Sequence, residues 1–283
     1  MDDSEPGGTT ARFRELIEQP DEQINLAEGA LLIAKNANYD VDIGRYLSRI
    51  EQLADALCSR LTAAASDTER IVALNGFLFE EQRFGPNLED YYDLRNSFLN
   101  EVLERRVGIP ISLSIVYMEV GRRIGLDLRG VSFPGHFLVK CKLSQGTAIL
   151  DPYGRGISLS LYDLQQRLRE ARGGEVSRAI VAGLLVCANK KQILARMLRN
   201  LKAIYLDRGQ SEHALSVMHW LVALDPSDAA QVRERGLLYL QLECFRAALE
   251  DLEQYAIRAP GGEDADEIRH LVLRLRQDTS RLN

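Results

Sequence analysis

Three polar residues in the middle of the chain have the types and the spacing of a hydrolytic site. Ser112 stands two residues after Pro110, in the first turn of a predicted helix, while His136 and Asp151 belong to two predicted strands. A nucleophile at a helix N-terminus, a histidine base and a carboxylate that orients the histidine form the constellation of serine and cysteine hydrolases. The fifteen residues from His136 to Asp151 suit a hairpin that sets these two side by side.

The nucleophile is the weak member of this set. Ser112 and Ser114 differ by about 200° around a helix axis, so at most one of them can face His136. A serine hydroxyl has a pKa far above that of a thiol, and a helix dipole worth up to about 2 kcal/mol does not remove that difference. Serine would therefore need full general-base help from His136 and a formed oxyanion hole. The chain has no GxSxG elbow.

Each of these residues also has a structural interpretation. The two serines can be small hydroxyls in a tightly packed helix, bonded back to a carbonyl four residues earlier. His136 can be a strand histidine held by one hydrogen bond, and Asp151 can cap its own Asp-Pro turn. These interpretations predict a vestigial site without activity.

No cysteine replaces the serine. The four cysteines, Cys58, Cys141, Cys187 and Cys244, lie far apart and form no CxxC pair, so we expect reduced thiols and neither a metal nor a cofactor. Cys141 is five residues beyond His136 on the same predicted strand. An odd separation places the two on opposite faces of the sheet.

The elements that would position the site follow from periodicity. Apolar residues at helical spacing predict helices between Ala11 and Leu61, and Ser66 or Asp67 is a plausible cap for the next helix. Phe84–Asp93 is typical of a loop, and Asn96-Ser97 is expected to cap the helix that follows.

The next element is apolar on nearly every side. Ile111–Val120 predicts a fully buried helix, which Pro110 opens. The period then changes to two, which predicts the strands Asp127–Phe133, His136–Lys142 and Ala148–Leu150. The pairs Arg105–Arg106 and Arg122–Arg123 are short basic spots. Arg105 and Arg106 could bind an anionic partner, but we expect them to pair with acidic neighbours such as Glu101 and Glu104.

The C-terminal third repeats with a period of 34 residues, the period of the tetratricopeptide repeat. The paired positions are Leu201 with Arg235, Tyr205 with Tyr239, Ala214 with Ala248, and Pro226 with Pro260. Two repeats and a closing helix over Asp264–Leu282 are predicted. We expect Trp220 to pack between repeats and the concave groove to bind a protein or peptide.

Composition excludes several classes of function. The net charge of -6 gives no support to nucleic-acid binding, and no stretch approaches the roughly 20 apolar residues of a membrane span. Met1–Thr10 is acidic and Gly-rich, so we expect a disordered N-terminus without a secretory signal and a cytoplasmic location.

Three segments carry a family resemblance: the run from Asn96 to Pro110, the run from Phe133 to Leu138, and Asp151-Pro152-Tyr153-Gly154. They resemble the bacterial SirB-type transglutaminase-like family. The resemblance covers the chain from about Leu26 onward and implies a transglutaminase-like core joined to a tetratricopeptide tail. True transglutaminases carry their nucleophilic cysteine near the start of the buried helix, where this chain has Ser112 and Ser114. The resemblance therefore implies a degenerate active site.

The sequence thus predicts an α+β fold, with a papain-like core of helices on a small antiparallel sheet and an all-α tail. We divide it into a disordered terminus (1–10), the helical lead-in with the core (11–189) and the repeats with their capping helix (190–283). Two functions stay open: a non-catalytic interaction or regulatory protein, and a serine-type amide or ester hydrolase or acyltransferase that uses Ser112, His136 and Asp151. The oligomeric state is not predicted.

Overall fold

The protein is described by a computed structural model, which covers residues 8–37 and 40–281. The chain divides into two compact units, one up to Met197 and one from Leu198. Of the predicted disordered terminus, residues 1–7 lie outside the described residues, and the first helix begins at Thr9.

The first unit begins with four helices, α1 (Thr9–Glu18), α2 (Leu26–Ala37), α3 (Ile43–Cys58) and α4 (Asp67–Asn75). Asp42 caps α3. Of the two predicted caps of α4, Ser66 is the N-cap, and it forms a capping box with Glu69. A π-helical turn, Gly76–Glu81, extends α4 and buries Phe77, Leu78 and Phe79.

The loop that follows contains short elements. The two-residue strands β1 (Gly85–Pro86) and β2 (Val107–Gly108) pair in parallel, and between them lie a 3-10 turn (Leu94–Asn96) and α5 (Leu99–Arg105). The prediction that Asn96-Ser97 caps α5 is wrong, since the N-cap is Phe98. The Asn96 amide instead donates to the carbonyls of Asp90 and Tyr91, at 2.7 and 3.3 Å, because the loop folds back over it.

The expected pairing of Arg105 and Arg106 with acidic neighbours such as Glu101 and Glu104 is met in part, since Arg105 pairs with a different acid and Arg106 forms no ion pair among the described residues. Arg105 forms an ion pair with Asp93 at 3.4 Å, and Glu104 pairs with Arg45 at 2.7 Å. Arg106 has a φ of 63° and ends α5, so its side chain leaves the helix face and donates to the Gln82 carbonyl at 2.9 Å.

Helix α6 (Pro110–Arg123) is the buried helix that the sequence predicts, with every residue from Pro110 to Gly121 buried. It packs on β3 (Asp127–Val131) and β4 (Leu138–Leu143) of a four-stranded antiparallel sheet. The sheet is completed in chain order by β5 (Gly146–Asp151) and β6 (Ile157–Ser158).

His136 lies in a turn and not on a strand, which corrects the predicted strand His136–Lys142. Its backbone N–H donates to the Phe133 carbonyl at 3.1 Å and closes a four-residue turn with Pro134 and Gly135 in the middle. Gly135 has a φ of 69°, which the third position of such a turn requires and a glycine supplies. The turn ends two residues before β4 begins.

Two further helices pack against the sheet. Helix α7 (Leu161–Arg172) begins with a capping box between Ser160 and Asp163, and α8 (Arg178–Gly183) begins at a Ser177 cap. Their apolar residues form one cluster with those of the strands, comprising Val131, Phe133, Leu138, Ile149, Leu159, Leu164, Leu168, Val176, Val181 and Leu185. This cluster fixes α7 beside the end of β5.

Helix α9 (Lys190–Asp207) leads into the second unit, which contains α10 (Ser211–Leu224), α11 (Ala229–Gln241), α12 (Phe245–Arg258) and α13 (Ala265–Arg281). Helices α10 and α12 begin 34 residues apart, as the repeat predicts. Ala214 and Ala248 are fully buried, and Trp220 is buried at 3% exposure. Helix α13 matches the predicted closing helix, whose last residue, Leu282, lies outside the described residues.

The α+β prediction is confirmed. No helix within the described residues has both the length and the apolar character to cross a membrane.

Candidate functional site

The structure brings His136 and Asp151 together. His136 Nε2 lies 2.8 Å from Asp151 Oδ1, and the histidine side chain keeps 17% of its surface exposed while the aspartate side chain keeps 2%. Asp151 is the last residue of β5, and His136 sits in the turn before the neighbouring strand β4. The carboxylate therefore orients the ring through one nitrogen and leaves Nδ1 without a protein partner among the described residues.

Asp151 is held as a charged acceptor. Burial alone would raise its pKa, but hydrogen bonds from His136, from Arg167 and from the Gly154 N–H together lower the pKa below its usual value. Arg167 Nη1 lies 2.7 Å from Oδ2, and the Gly154 N–H lies 3.1 Å from Oδ1. Oδ1 of Asp151 therefore bonds to His136 and to the Gly154 N–H, and Oδ2 bonds to Arg167.

The turn after Asp151 is held by a hydrogen bond from the last residue of α4. Asn75 donates to the Gly156 carbonyl at 3.0 Å and accepts from the buried Tyr117 hydroxyl at 2.9 Å. Gly156 has a φ of 75°, and a β-carbon there would collide with the Asn75 amide. Glycine is therefore required at this position, and the turn that supplies the Gly154 N–H cannot move freely.

Ser112 has another set of contacts. Its Oγ lies 2.6 Å from the Asn96 carbonyl oxygen and 3.1 Å from the Ile109 carbonyl oxygen, and it accepts the Ile109 N–H at 3.1 Å. The side chain is fully buried. A hydroxyl has one hydrogen to donate, and here it goes to a backbone carbonyl. Ser112 therefore joins the 3-10 turn to the start of α6, and within the described chain His136 is not among its hydrogen-bond partners.

The other nucleophile candidates are no better placed. Ser114 is fully buried, and its Oγ has no hydrogen-bond partner in the described part of the chain. Cys141 is also fully buried, and burial raises the pKa of its thiol to about 11. A thiol with that pKa is almost entirely protonated near neutral pH, so Cys141 is a poor nucleophile.

Aromatic residues connect the His136–Asp151 pair to a cleft. The Tyr153 ring stands edge-on to the His136 ring with centroids 5.7 Å apart, and Tyr91 contacts Tyr153 in the same manner at 6.5 Å. Tyr153 also lines an open cleft of about 760 Å³, together with Phe84, Pro86 and Leu88 from the loop that contains β1. An extended segment of a partner that lies in this cleft would reach the surroundings of His136.

Sequence reasoning gave no role in the site to Arg167, Asn96 or Tyr153, although Asn96 and Tyr153 belong to segments that carry the family resemblance. Arg167 follows Leu164 by three residues and precedes Leu168, and both leucines are buried. Helical spacing therefore places Arg167 beside the inward face of α7, which is a signal in the sequence. Asn96 had no such signal, because its bonds to the loop and to Ser112 depend on the course of the loop.

The described residues, 8–37 and 40–281, contain no group of three or more His, Cys, Asp and Glu side chains placed to hold a metal ion. A histidine is oriented by a charged carboxylate, an arginine neutralises that carboxylate, and the hydroxyl at the helix start is bonded to the backbone.

Comparison with protein families gives two matches in chain order. Residues 44–199 match the model described as the transglutaminase-like superfamily, and residues 201–272 match the tetratricopeptide repeat. The first match contains the whole His136–Asp151 site, and the second contains all of α10, α11 and α12 with parts of α9 and α13. No solved structure matches the chain.

Similar proteins occur in bacteria and in a mammal. A UPF0162 protein of Xylella fastidiosa is 38% identical over 89% of this chain and 90% of its own length. A UPF0162 protein of Vibrio cholerae is 28% identical over 93% of this chain and 97% of its own length. The F-box only protein 21 of Mus musculus is 27% identical over 68% of this chain but only 34% of its own length.

The resemblance inferred from the three sequence segments is therefore confirmed. Because the family model spans more than half of the chain and the Xylella relative covers nearly all of it, the chain belongs to the transglutaminase-like superfamily and to the UPF0162 family of bacterial proteins.

Proposed function

We propose that this chain is a non-catalytic interaction protein, a regulatory pseudoenzyme whose transglutaminase-like core binds a peptide segment beside His136. In this proposal the tetratricopeptide unit supplies a second docking surface for a partner protein. Free thiols at all four cysteines suit a reducing compartment, so we place the protein in the cytoplasm.

One observation carries the proposal: the Ser112 hydroxyl donates to the Asn96 carbonyl at 2.6 Å in a fully buried setting. To act as a nucleophile, Ser112 would have to break that bond and leave a buried carbonyl unpaired, at a cost of about 1–3 kcal/mol. It would also need its proton removed by His136, which is not its hydrogen-bond partner. This arrangement favours a structural serine.

A second candidate function is a serine-type amide or ester hydrolase or acyltransferase, with Ser112 as nucleophile, His136 as base and Asp151 as the orienting carboxylate. The 2.8 Å bond from His136 Nε2 to Asp151 favours it, because the other ring nitrogen stays available to a nucleophile. This candidate requires the start of α6 to rearrange when substrate binds.

A serine-directed fluorophosphonate probe separates the two candidates. For the interaction protein we expect no labelling of the wild type. Labelling of Ser112 that disappears in both Ser112→Ala and His136→Ala, with unchanged far-UV circular dichroism, would establish the hydrolase. Labelling that persists equally in His136→Ala would reflect general reactivity and leave the hydrolase unsupported.

Peptide binding is tested directly with the full chain and an array of extended peptides. We expect a subset of peptides to bind, and we expect Tyr153→Ser to weaken their binding about tenfold, since aromatic anchors in a cleft dominate such affinities. Tyr162→Ser is the matched control, because Tyr162 is exposed on α7 and does not line the cleft. An array without any bound peptide, or equal losses in the two variants, contradicts docking in this cleft.

A further inference from the structure

We propose that Arg83 and Arg155 form a carboxylate-binding pair in the cleft beside Tyr153, so that the segment it takes is an acidic peptide of a partner protein. This inference rests on the proposed function, since it names the chemistry of the peptide that the core binds. Both arginines line the cleft of about 760 Å³. In the sequence, Arg83 precedes and Arg155 follows the segment that contains His136.

The backbone at these arginines is unusual. The described chain has four non-glycine residues with a positive φ, and three of them are arginines at this end of the core: Arg83 at 60°, Arg106 at 63° and Arg155 at 60°. This left-handed region disfavours residues with a β-carbon, and glycine occupies it without strain. Strained positions of this kind cluster at functional sites, so an arginine in place of glycine suggests a use for its side chain.

The three arginines differ in their partners. Arg106 donates to the Gln82 carbonyl at 2.9 Å, and Gln82 directly precedes Arg83. Arg106 therefore supports the turn in which Arg83 sits. The guanidinium groups of Arg83 and Arg155 have no ion pair or hydrogen-bond partner among the described residues, and both residues are exposed. Their charges are available to a ligand.

The local charge is opposite to that of the whole chain. The chain has a net charge of -6, so it does not attract anions as a whole. Glu80 also lines the cleft, and with Arg83 and Arg155 it leaves one net positive charge there. An acidic partner is thus attracted to this cleft and not to the surface in general.

The apolar residues that line the cleft indicate how a peptide binds there. Leu88 is 84% exposed, Tyr153 is partly exposed, and Phe84, which also lines the cleft, is only 3% exposed. Binding by addition of a strand to β1 is excluded over residues 85–87, since the N–H groups of Gly85 and Asn87 already bond to the carbonyls of Arg106 and Gly108, and Pro86 has none. Recognition therefore uses side chains: an acidic group of the peptide binds the arginines, and its apolar neighbour packs on Tyr153 and Leu88.

Fluorescence anisotropy of the full chain with two matched peptide sets tests the inference. The acidic set contains fluorescein-labelled hexapeptides with Asp or Glu next to Leu or Phe, and the neutral set has Asn or Gln in the same places. We expect the wild type to bind the acidic set about fivefold tighter, from two partly exposed charge pairs. The preference should shrink in 0.5 M NaCl because salt screens exposed charges.

The double variant Arg83→Gly/Arg155→Gly should lose the preference for acidic peptides. Its affinity for the acidic set should fall to its affinity for the neutral set. Its melting temperature should be unchanged or higher, because glycine relieves the strained φ at both sites. Arg178→Ala removes an exposed arginine of α8 that does not line the cleft and should keep the preference.

The possible failures are distinguishable. If the wild type binds both sets equally, or if the double variant keeps its acidic preference, the arginine pair is not the recognition element and this inference is overturned, while peptide docking stands. If the wild type binds neither set, peptide docking in the core fails and the inference fails with it.

Discussion

Two buried aspartates in this protein, each paired with an arginine, illustrate two uses of the same interaction. In the repeats, Arg235 forms two parallel hydrogen bonds with Asp251, from Nε to Oδ2 and from Nη2 to Oδ1, both at 2.7 Å. In the core, Asp151 gives one oxygen to Arg167 and the other to His136. The first carboxylate is fully engaged by one cation, whereas the second is shared with a titratable ring.

The repeat period explains the pair in the tail. Arg235 and Asp251 stand 34 residues after Leu201 and Val217, which are both buried. The second repeat therefore has a buried ion pair where the first repeat has two apolar residues. This pair joins α11 to α12, and we call it the clamp. Asp151 has no such apolar counterpart, and its histidine is partly exposed beside a cleft. We conclude that the two aspartates differ in purpose: packing in the tail and orientation of a side chain in the core.

The largest expected effect on stability comes from removing one partner of the Arg235–Asp251 ion pair. Arg235→Leu should lower the free energy of unfolding by about 3 kcal/mol, because it leaves the Asp251 charge buried and unpaired. The double variant Arg235→Leu/Asp251→Val copies the first repeat and should recover most or all of that loss. Urea unfolding followed by circular dichroism measures both. A double variant that is as unstable as the single one would mean that the pair also does something other than packing.

A smaller effect is expected for Asp151→Asn, which removes the charge that orients His136. We expect a loss of about 2 kcal/mol at pH 7, the range of a hydrogen bond to a charged group. The pKa of Asp151 is lower in the folded protein than in the unfolded chain, so its contribution to stability is fully present above the unfolded pKa of about 3.9 and is lost as the pH falls through the folded pKa.

Unfolding curves measured from pH 7 down to pH 2, through the lowered pKa of Asp151, check the sign. The wild type should lose stability over the acid part of this range, and Asp151→Asn should lose less, so the two should converge at low pH. A constant difference between them at every pH would show that Asp151 acts through packing and not through its charge.

The smallest effect is expected for Arg167→Ala, at about 1 kcal/mol, because the Arg167 side chain is 36% exposed and solvent already screens the pair. Asp151 keeps its bonds to His136 and to the Gly154 N–H. Arg167→Lys should restore part of the loss. Urea unfolding is again the measurement, and a loss as large as that of Arg235→Leu would make Asp151 a clamp of the same kind as Asp251.

The repeats were more predictable than the core. A period of 34 residues, small residues at Ala214 and Ala248, and prolines at the helix ends are local signals, and they predicted the helices and the closing helix well. In the core, Pro110 and the apolar run after it predicted the buried α6 for the same local reason. Both cases depend on contacts between near neighbours in sequence, where periodicity carries the information.

The sequence alone determined the α+β order, the buried helix, the family and the pairing of His136 with Asp151 across a hairpin. Only the tertiary structure decided that the Ser112 hydroxyl bonds to Asn96, that Arg167 shares Asp151, and that Arg83 and Arg155 line one cleft. The reason is physical. A hairpin or a helix face is set by residues within a few turns, whereas these partners are brought together by the packing of a loop, a helix and a turn that are distant along the chain.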